Sequence, residues 1–97
     1  MSGAFAWDAD WYGIEDPAEA MALSRELERE VSGTHVLFGH VWTAIGRRTR
    51  DDVLFLLENG TVAQVRLTWH AESSPDWPAA KVYPDFASWQ AVPPEDR

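Results

Sequence analysis

The feature that most constrains the fold is a hairpin pattern in residues 51–70, DDVLFLLENGTVAQVRLTWH. Asn59-Gly60 separates two runs rich in β-branched and large apolar residues, which is typical of a tight antiparallel turn. After the turn the chain alternates, and one side of the strand carries Ala63, Val65, Leu67 and Trp69. This alternation predicts a strand with a single buried face.

The run before the turn, residues 53–57, does not alternate, because every position is apolar. Successive side chains of a strand point to opposite faces, so both faces of this strand must be covered. A two-residue turn directs Leu54 and Leu56 to the helix side, whereas a three-residue turn with a bulge directs Val53, Phe55 and Leu57 there. The other face needs the chain's own ends or a second copy, and we expect the ends, through Phe5, Trp7, Trp77 or Trp89.

A helix is predicted over residues 16–33, with Pro17 to Ser32 as its helical part. Asp16 is a suitable N-cap, Pro17 suits the first turn, and Glu19 completes a variant of the capping box. Gly33 lies where the chain must leave the helix. One apolar stripe, which we expect to pack on a sheet, contains Ala20, Leu23, Leu27 and Val31.

The remaining segments complete an α+β domain over residues 1–97. Residues 1–15 form an aromatic, acidic arm without a clear period, and residues 35–46 predict a first strand interrupted at Gly39. Residues 35–70 should therefore form a three-stranded antiparallel meander. Residues 71–97 predict a loop, a short helix and a tail, with residues 81–83 as a fourth, edge strand. The predicted fold is one N-terminal helix packed on three to four strands.

Composition excludes several classes of protein. The sequence has no cysteine, which removes disulfide scaffolds, thiolate zinc sites and iron–sulfur clusters and is consistent with a reducing compartment. The net charge of −8 disfavours nucleic acid and anionic membranes as partners. The first residues lack the pattern of an export signal, and the longest apolar run is too short for a membrane span. We therefore expect a cytoplasmic protein.

The sequence offers little for catalysis. His35, His40 and His70 lack the alternate spacing that brings strand histidines together on one metal ion. Asp51-Asp52 lies among Arg47, Arg48 and Arg50, which indicates a turn of mutually neutralising charges rather than an acid–base cluster. No serine lies in a nucleophile elbow. We predict no catalytic residue, no cofactor and no metal.

The hairpin resembles a recurring pattern in small uncharacterised bacterial proteins. The matching residues are Asp51 to Phe55, Leu57, Gly60, Ala63, Val65 and Leu67-Thr68-Trp69. The pattern also contains a His-x-Leu-x-Gly start, matched by residues 35–39, and a later Trp-Pro, matched by Trp77-Pro78. It has a histidine just before Leu-Thr-Trp, where this chain has Arg66. The resemblance extends over residues 23–90 and implies a small α+β fold, but no activity and no site residues.

Six tryptophans in 97 residues are more than one small core needs. Those in irregular segments either close the core edges or serve as binding anchors, since tryptophan is common at interface hot spots. The candidate partner-binding residues are Trp7, Asp8, Asp10, Trp11 and Trp77. The leading hypothesis is a non-enzymatic interaction protein, specifically an inhibitor or immunity-type binder of a basic partner surface, with a monomer favoured and a homodimer left open. The alternative is a small-ligand or enzymatic domain with an indole-lined pocket near Trp69, His70 and Trp77.

Overall fold

The computed structural model describes residue 7 and residues 10–97. Phe5 and Asp8, which the sequence analysis singled out, lie outside these residues. The elements in chain order are β1 (Tyr12–Gly13), α1 (Pro17–Glu30), β2 (Trp42–Arg47), β3 (Asp52–Leu57), β4 (Val62–Arg66), β5 (Ala79–Tyr83), α2 (Phe86–Ala91) and a 3₁₀ turn (Pro94–Asp96). The α+β class is confirmed. No described helix is both long enough and apolar enough to cross a bilayer.

The sheet has five antiparallel strands in chain order, where the sequence predicted three to four. The additional strand, β1, comes from the N-terminal arm and pairs Tyr12 with Arg47 and Gly13 with Gly46. A two-residue strand is too short to display an alternating pattern, which is why the arm showed no period. The short edge strand expected at residues 81–83 is present and begins two residues earlier, as β5.

Helix α1 begins as predicted and ends slightly earlier. The side chain of Asp16 accepts a hydrogen bond from the Ala18 N–H at 2.9 Å, and Pro17 occupies the first turn. Leu23 and Leu27 are buried against the sheet. The helix ends at Glu30 because Val31 is extended, with φ −77° and ψ 117°, so Gly33 is not needed as the terminator.

The predicted first strand, residues 35–46, is wrong in its first half, because β2 begins only at Trp42. Residues 33–39 instead form consecutive turns. The imidazole of His35 fixes these turns: its Nδ1 accepts from the Leu37 N–H at 3.0 Å, and its Nε2 lies 2.8 Å from the Pro78 carbonyl. Strand propensity is therefore overridden by a contact with a residue 43 positions away.

The hairpin uses the three-residue turn, which settles the register. Leu57 accepts from the Gly60 N–H at 3.0 Å and donates to Thr61 at 2.9 Å, and Gly60 has a φ of 87°. This is the combination of a type I turn with a glycine bulge. The residues of β3 on the helix side are accordingly Val53, Phe55 and Leu57.

The second face of the sheet has its own small core, and the expectation that the chain's ends cover it is confirmed for two tryptophans. Leu54 and Val62 are fully buried beneath Trp89, which is itself fully buried. The indoles of Trp11 and Trp89 meet edge to face with centroids 5.0 Å apart, and Trp7 lies 5.8 Å from Trp89. Trp77 does not contribute to this cover as proposed, because it is 51% exposed in the loop before β5.

We expect Trp89→Ala to lower the free energy of unfolding by about 3–5 kcal/mol, because it empties the centre of the second core. It also removes the indole N–H that donates to Gln64 at 2.8 Å. Phe38→Ala is the matched control, because its aromatic ring is already 61% exposed and should cost less than about 0.5 kcal/mol. Urea unfolding of the two variants tests this, and equal losses would mean that the second face is not a core.

Gly46 leaves the space that the Trp7 indole occupies. A Cβ atom added at Gly46 would overlap the Trp7 ring, whereas one added at Gly33 would meet no atom within 4 Å. We expect Gly46→Ala to displace the indole, shift tryptophan fluorescence to longer wavelength and destabilise the fold by about 1–3 kcal/mol. Gly33→Ala should change neither measurement. Indistinguishable behaviour of the two variants would contradict this position of Trp7.

Candidate functional site

The five candidate partner-binding residues occupy different environments. Trp7 and Trp11 both pack in the second core, and Trp11 is only 4% exposed. Asp10 and Trp77 lie at the surface, and Asp8 is not among the described residues. The structure therefore brings the two arm indoles together at Trp89, where they have a packing role that leaves little of them for a partner.

The indole of Trp69, expected to line the alternative pocket, is engaged locally. Its Nε1 donates to Asp51 Oδ1 at 2.7 Å, and the Arg50 guanidinium lies over its ring at 5.0 Å. Such a cation–π contact contributes about 0.5–1 kcal/mol at an exposed site. His70 and Trp77 are exposed, and the four concavities described below are lined by other residues.

The turn between α1 and β2 presents apolar side chains to solvent. Leu37 is fully buried in the main core, whereas Val36, Phe38 and Val41 are 64%, 61% and 69% exposed. The turns around His35 hold Leu37 inward, so its neighbours Val36 and Phe38 project outward. Isolated exposed apolar residues are common, but three within six positions form a patch that usually marks a binding surface.

A groove runs along α1 beside this turn, and we call it the α1 groove. It joins three concavities of about 270, 300 and 260 Å³. Trp42 lines all three and forms the floor. The wall from α1 includes Met21, Ser24, Glu28 and Val31, and the opposite wall is made of residues 38–43. Met21 is 54% exposed, so the apolar surface continues from the turn onto the helix.

Two hydrogen bonds that Ser24 accepts hold the floor of the groove in place. The Trp42 indole Nε1 donates to the Ser24 carbonyl at 3.0 Å, and the Ser24 hydroxyl accepts from the Ala44 N–H at 3.3 Å. The indole is therefore fixed before any partner arrives. Because this aromatic side chain is already fixed, less side-chain entropy is lost when a ligand binds to it.

The edge of β2 that borders the groove is only partly paired. β1 pairs with Gly46 and Arg47 and does not reach the beginning of β2. The carbonyl of Val41 accepts from the Glu58 N–H at 3.1 Å, so the backbone groups of Trp42, one position later, point away from β3. An extended segment could hydrogen-bond to such an edge, as in recognition by strand addition.

The end of the groove next to Val41 is fixed by Glu58. Its carboxylate accepts from the Val41 N–H at 2.9 Å and lies 2.9 Å from His40 Nδ1. The hydrogen bonds from His40 and then from Val41 lower the pKa of Glu58. Arg25 and Glu28 also line this part of the groove.

The groove was not predicted from the sequence. Residues 38–43 were assigned to the predicted first strand, and Ala20 and Val31 to the stripe expected to pack on the sheet. One feature of the sequence pointed to it: Met21 is a large apolar residue outside the stripe of α1, on the side where Phe38 and Val41 also lie.

A second unusual site is the buried carboxylate of Glu30 at the end of α1. It accepts hydrogen bonds from the Thr68 N–H at 2.8 Å, the Thr68 hydroxyl at 3.1 Å and the Trp69 N–H at 2.8 Å. Trp69 has a φ of 64°, a left-handed conformation that costs on the order of 1–3 kcal/mol outside glycine. Arg29 also donates to the Trp69 carbonyl at 2.8 Å. The end of α1 thus stabilises a strained backbone after β4.

Burial and a neighbouring carboxyl group, that of Glu26, shift the pKa of Glu30. Burial and then the Glu26 carboxylate raise the pKa of Glu30 to about 7, against the hydrogen bonds from Thr68 and Trp69, which lower it. Burial also raises the pKa of Glu26, but hydrogen bonds from Glu30 and Arg29 outweigh it and the net pKa is below the usual value. Below about pH 7 the protonated form of Glu30 therefore predominates.

Comparison with known proteins assigns the chain to no family. No family model matches it, and neither the curated proteins nor the solved structures contain a significant match. The resemblance of the hairpin to small bacterial proteins is not tested by these comparisons and stays a prediction.

We expect the pH dependence of stability to report Glu30. The unfolded carboxyl group, with its ordinary pKa of 4.5, loses its proton at lower pH than the folded one, near 7. The folded state therefore binds more protons in this window, and the contribution of Glu30 to stability falls as pH rises from about 4.5 to 7. Glu30→Gln should remove that part of the slope, measured by urea unfolding across the window.

Glu28→Gln is the control for this prediction, because Glu28 is exposed on the same helix and should leave the slope unchanged. The comparison uses the slope rather than the absolute stability, since Glu30→Gln also alters the hydrogen bonds to Trp69. A slope identical to that of the parent protein would contradict the raised pKa of Glu30.

Proposed function

We propose that the chain is a non-enzymatic protein-interaction protein that binds an apolar segment of another protein in the α1 groove. The observation that supports this most strongly is the exposure of Phe38 and Val41, both over 60%, around the fully buried Leu37. Each large apolar side chain kept in water forgoes about 1.5–3 kcal/mol of burial. A partner that covers these side chains would recover much of this free energy.

The partner that fits best is a basic one rather than a second copy of the chain. Two copies would each bring a net charge of −8, and their association would be opposed by repulsion. Glu15 and Asp16 are exposed immediately before Pro17, which lines one end of the groove. Basic residues that flank an apolar segment would be attracted there and would accelerate association.

The specific form of the proposal is an inhibitor or immunity-type protein that covers a basic surface of its partner, in a bacterial cytoplasm. The acidic charge and the lack of cysteine support this setting. The partly unpaired edge of β2 adds backbone hydrogen-bonding groups next to the apolar wall. Affinity would then come from the aromatic and aliphatic contacts, and selectivity from the charges around them.

The test is site-specific photo-crosslinking in the cells that naturally contain the protein. A photoreactive phenylalanine analogue placed at Phe38 should capture one defined protein. The same analogue at Val82, 45% exposed on β5, should not capture it. With the captured protein purified, Phe38→Ala should weaken binding at least about tenfold, a loss of about 1.4 kcal/mol.

Val82→Ala is the matched control and should bind like the parent protein. Phe38→Ala should also unfold at the same urea concentration as the parent, so a loss of binding cannot be attributed to misfolding. Crosslinking only between copies of the chain would replace the proposal with a homodimer. Equal binding by Phe38→Ala and the parent would refute the groove as the binding surface.

A further inference from the structure

The second face of the sheet divides into an aromatic half and a basic half. The aromatic half is covered by Trp7, Trp11 and Trp89. Beyond it, Arg66 lies opposite Asp52 and Ala79, and Gln64 lies opposite Lys81. These residues and Arg48 line an open concavity of about 290 Å³, which we call the basic pocket. It lies on the sheet face opposite α1, so it is independent of the proposed partner-binding groove.

A buried carboxylate positions the two arginines of the basic pocket. The side chain of Asp52 is 4% exposed. Its Oδ1 accepts from Arg66 Nε at 3.0 Å, and its Oδ2 accepts from Arg48 Nη2 at 2.9 Å and from Arg66 Nη2 at 3.2 Å. Burial raises the pKa of Asp52, but hydrogen bonds from Arg66 and Arg48 outweigh it and the net pKa is low. The carboxylate therefore stays charged and holds both guanidinium groups in fixed orientations.

The remaining polar groups of the pocket are donors. Lys81 is the only lysine of the sequence, and no carboxylate within residues 10–97 forms an ion pair with it. The Oε1 atom of Gln64 accepts from the Trp89 indole, which leaves the amide NH₂ as its free polar group. Three cationic side chains against one carboxylate give a local charge of +2 in a chain whose total is −8.

We propose that the basic pocket binds a tetrahedral oxyanion of the phosphate class, either free phosphate or a phosphate monoester. A planar carboxylate is matched best by one open guanidinium fork, but here Asp52 already occupies part of each fork. Arg48 also donates through Nη1 to the Arg97 carbonyl, so the donors left over come mainly from Arg66, Lys81 and Gln64. They approach from several directions, which suits a tetrahedral group. Ala79, opposite Arg66, has a small side chain and leaves room for the anion between the strands.

The pocket is too small and too isolated for a nucleic acid. Binding to a nucleic-acid backbone needs a row of cations that neutralises several successive phosphates. The basic pocket holds its cations around a single concavity, and the rest of the chain is acidic. The structure therefore favours a single phosphate group, either free or carried by a small molecule.

The test is a titration of the ¹⁵N-labelled protein with inorganic phosphate at constant ionic strength, followed by NMR. The indole N–H of Trp89, hydrogen-bonded to Gln64, and the amide of Lys81 should shift in a saturable manner. Glycerol phosphate in a parallel titration distinguishes the source: tighter binding than inorganic phosphate indicates a monoester ligand, and weaker binding indicates free phosphate. Acetate should bind at least about tenfold more weakly than the better of the two.

Lys81→Gln should weaken phosphate binding at least about tenfold without affecting folding, because Lys81 is exposed and forms no ion pair among residues 10–97. Arg25→Gln is the matched control: it removes the same charge from the exposed surface of α1 and should leave the affinity unchanged. Arg66→Gln provides a second variant in the pocket. Shifts that do not saturate, equal affinities for Lys81→Gln and Arg25→Gln, or acetate binding as tightly as phosphate would each overturn the proposal.

Discussion

The structure depends on the burial of β3 on both of its faces. Val53 and Phe55 pack under α1, while Leu54, between them in sequence, packs under the aromatic residues of the chain's ends. A strand of this kind must be central, so two strands flank it on each side. It also requires two covers, which is why a chain of 97 residues uses a helix for one face and tryptophans for the other. The three-residue turn at Asn59-Gly60 determines which side chains face each cover.

Much of this arrangement was predictable, because it depends on local patterns. The cap at Asp16, the stripe of α1, the hairpin, and the need for a second cover all follow from residues that are close in sequence. The sequence left two turns possible for the hairpin between β3 and β4. The choice between them sets the register of the two strands, and it depends on the backbone conformation of Gly60. The short helix predicted within residues 71–97 is α2, which also has a local cap, since Asp85 accepts from the Ser88 N–H.

The errors arose where distant residues decide the outcome. Residues 35–41 have the composition of a strand, yet the hydrogen bonds that His35 makes with the Leu37 N–H and the Pro78 carbonyl hold residues 33–39 in turns. Trp11 and Trp77 both lie in irregular segments, and only the proximity of Trp89 separates the buried one from the exposed one. The α1 groove and the basic pocket were missed because the groove joins two separate segments and the pocket joins three. For the pocket, the sequence showed Asp52 among arginines but not its pairing with Arg66, fourteen positions later.

The contacts of Glu30 have a consequence for how the chain folds. The carboxylate bonds to backbone groups 38 and 39 positions further along, and His35 bonds to a carbonyl 43 positions away. The chain between two residues so far apart in sequence must close into a loop before their contact can form. The entropy lost in closing this loop slows folding. The end of α1 and the turns after it are therefore completed only when β4 and the segment before β5 are in place. We expect one cooperative transition, in which the surface that carries Phe38 becomes ordered together with the last strands of the sheet.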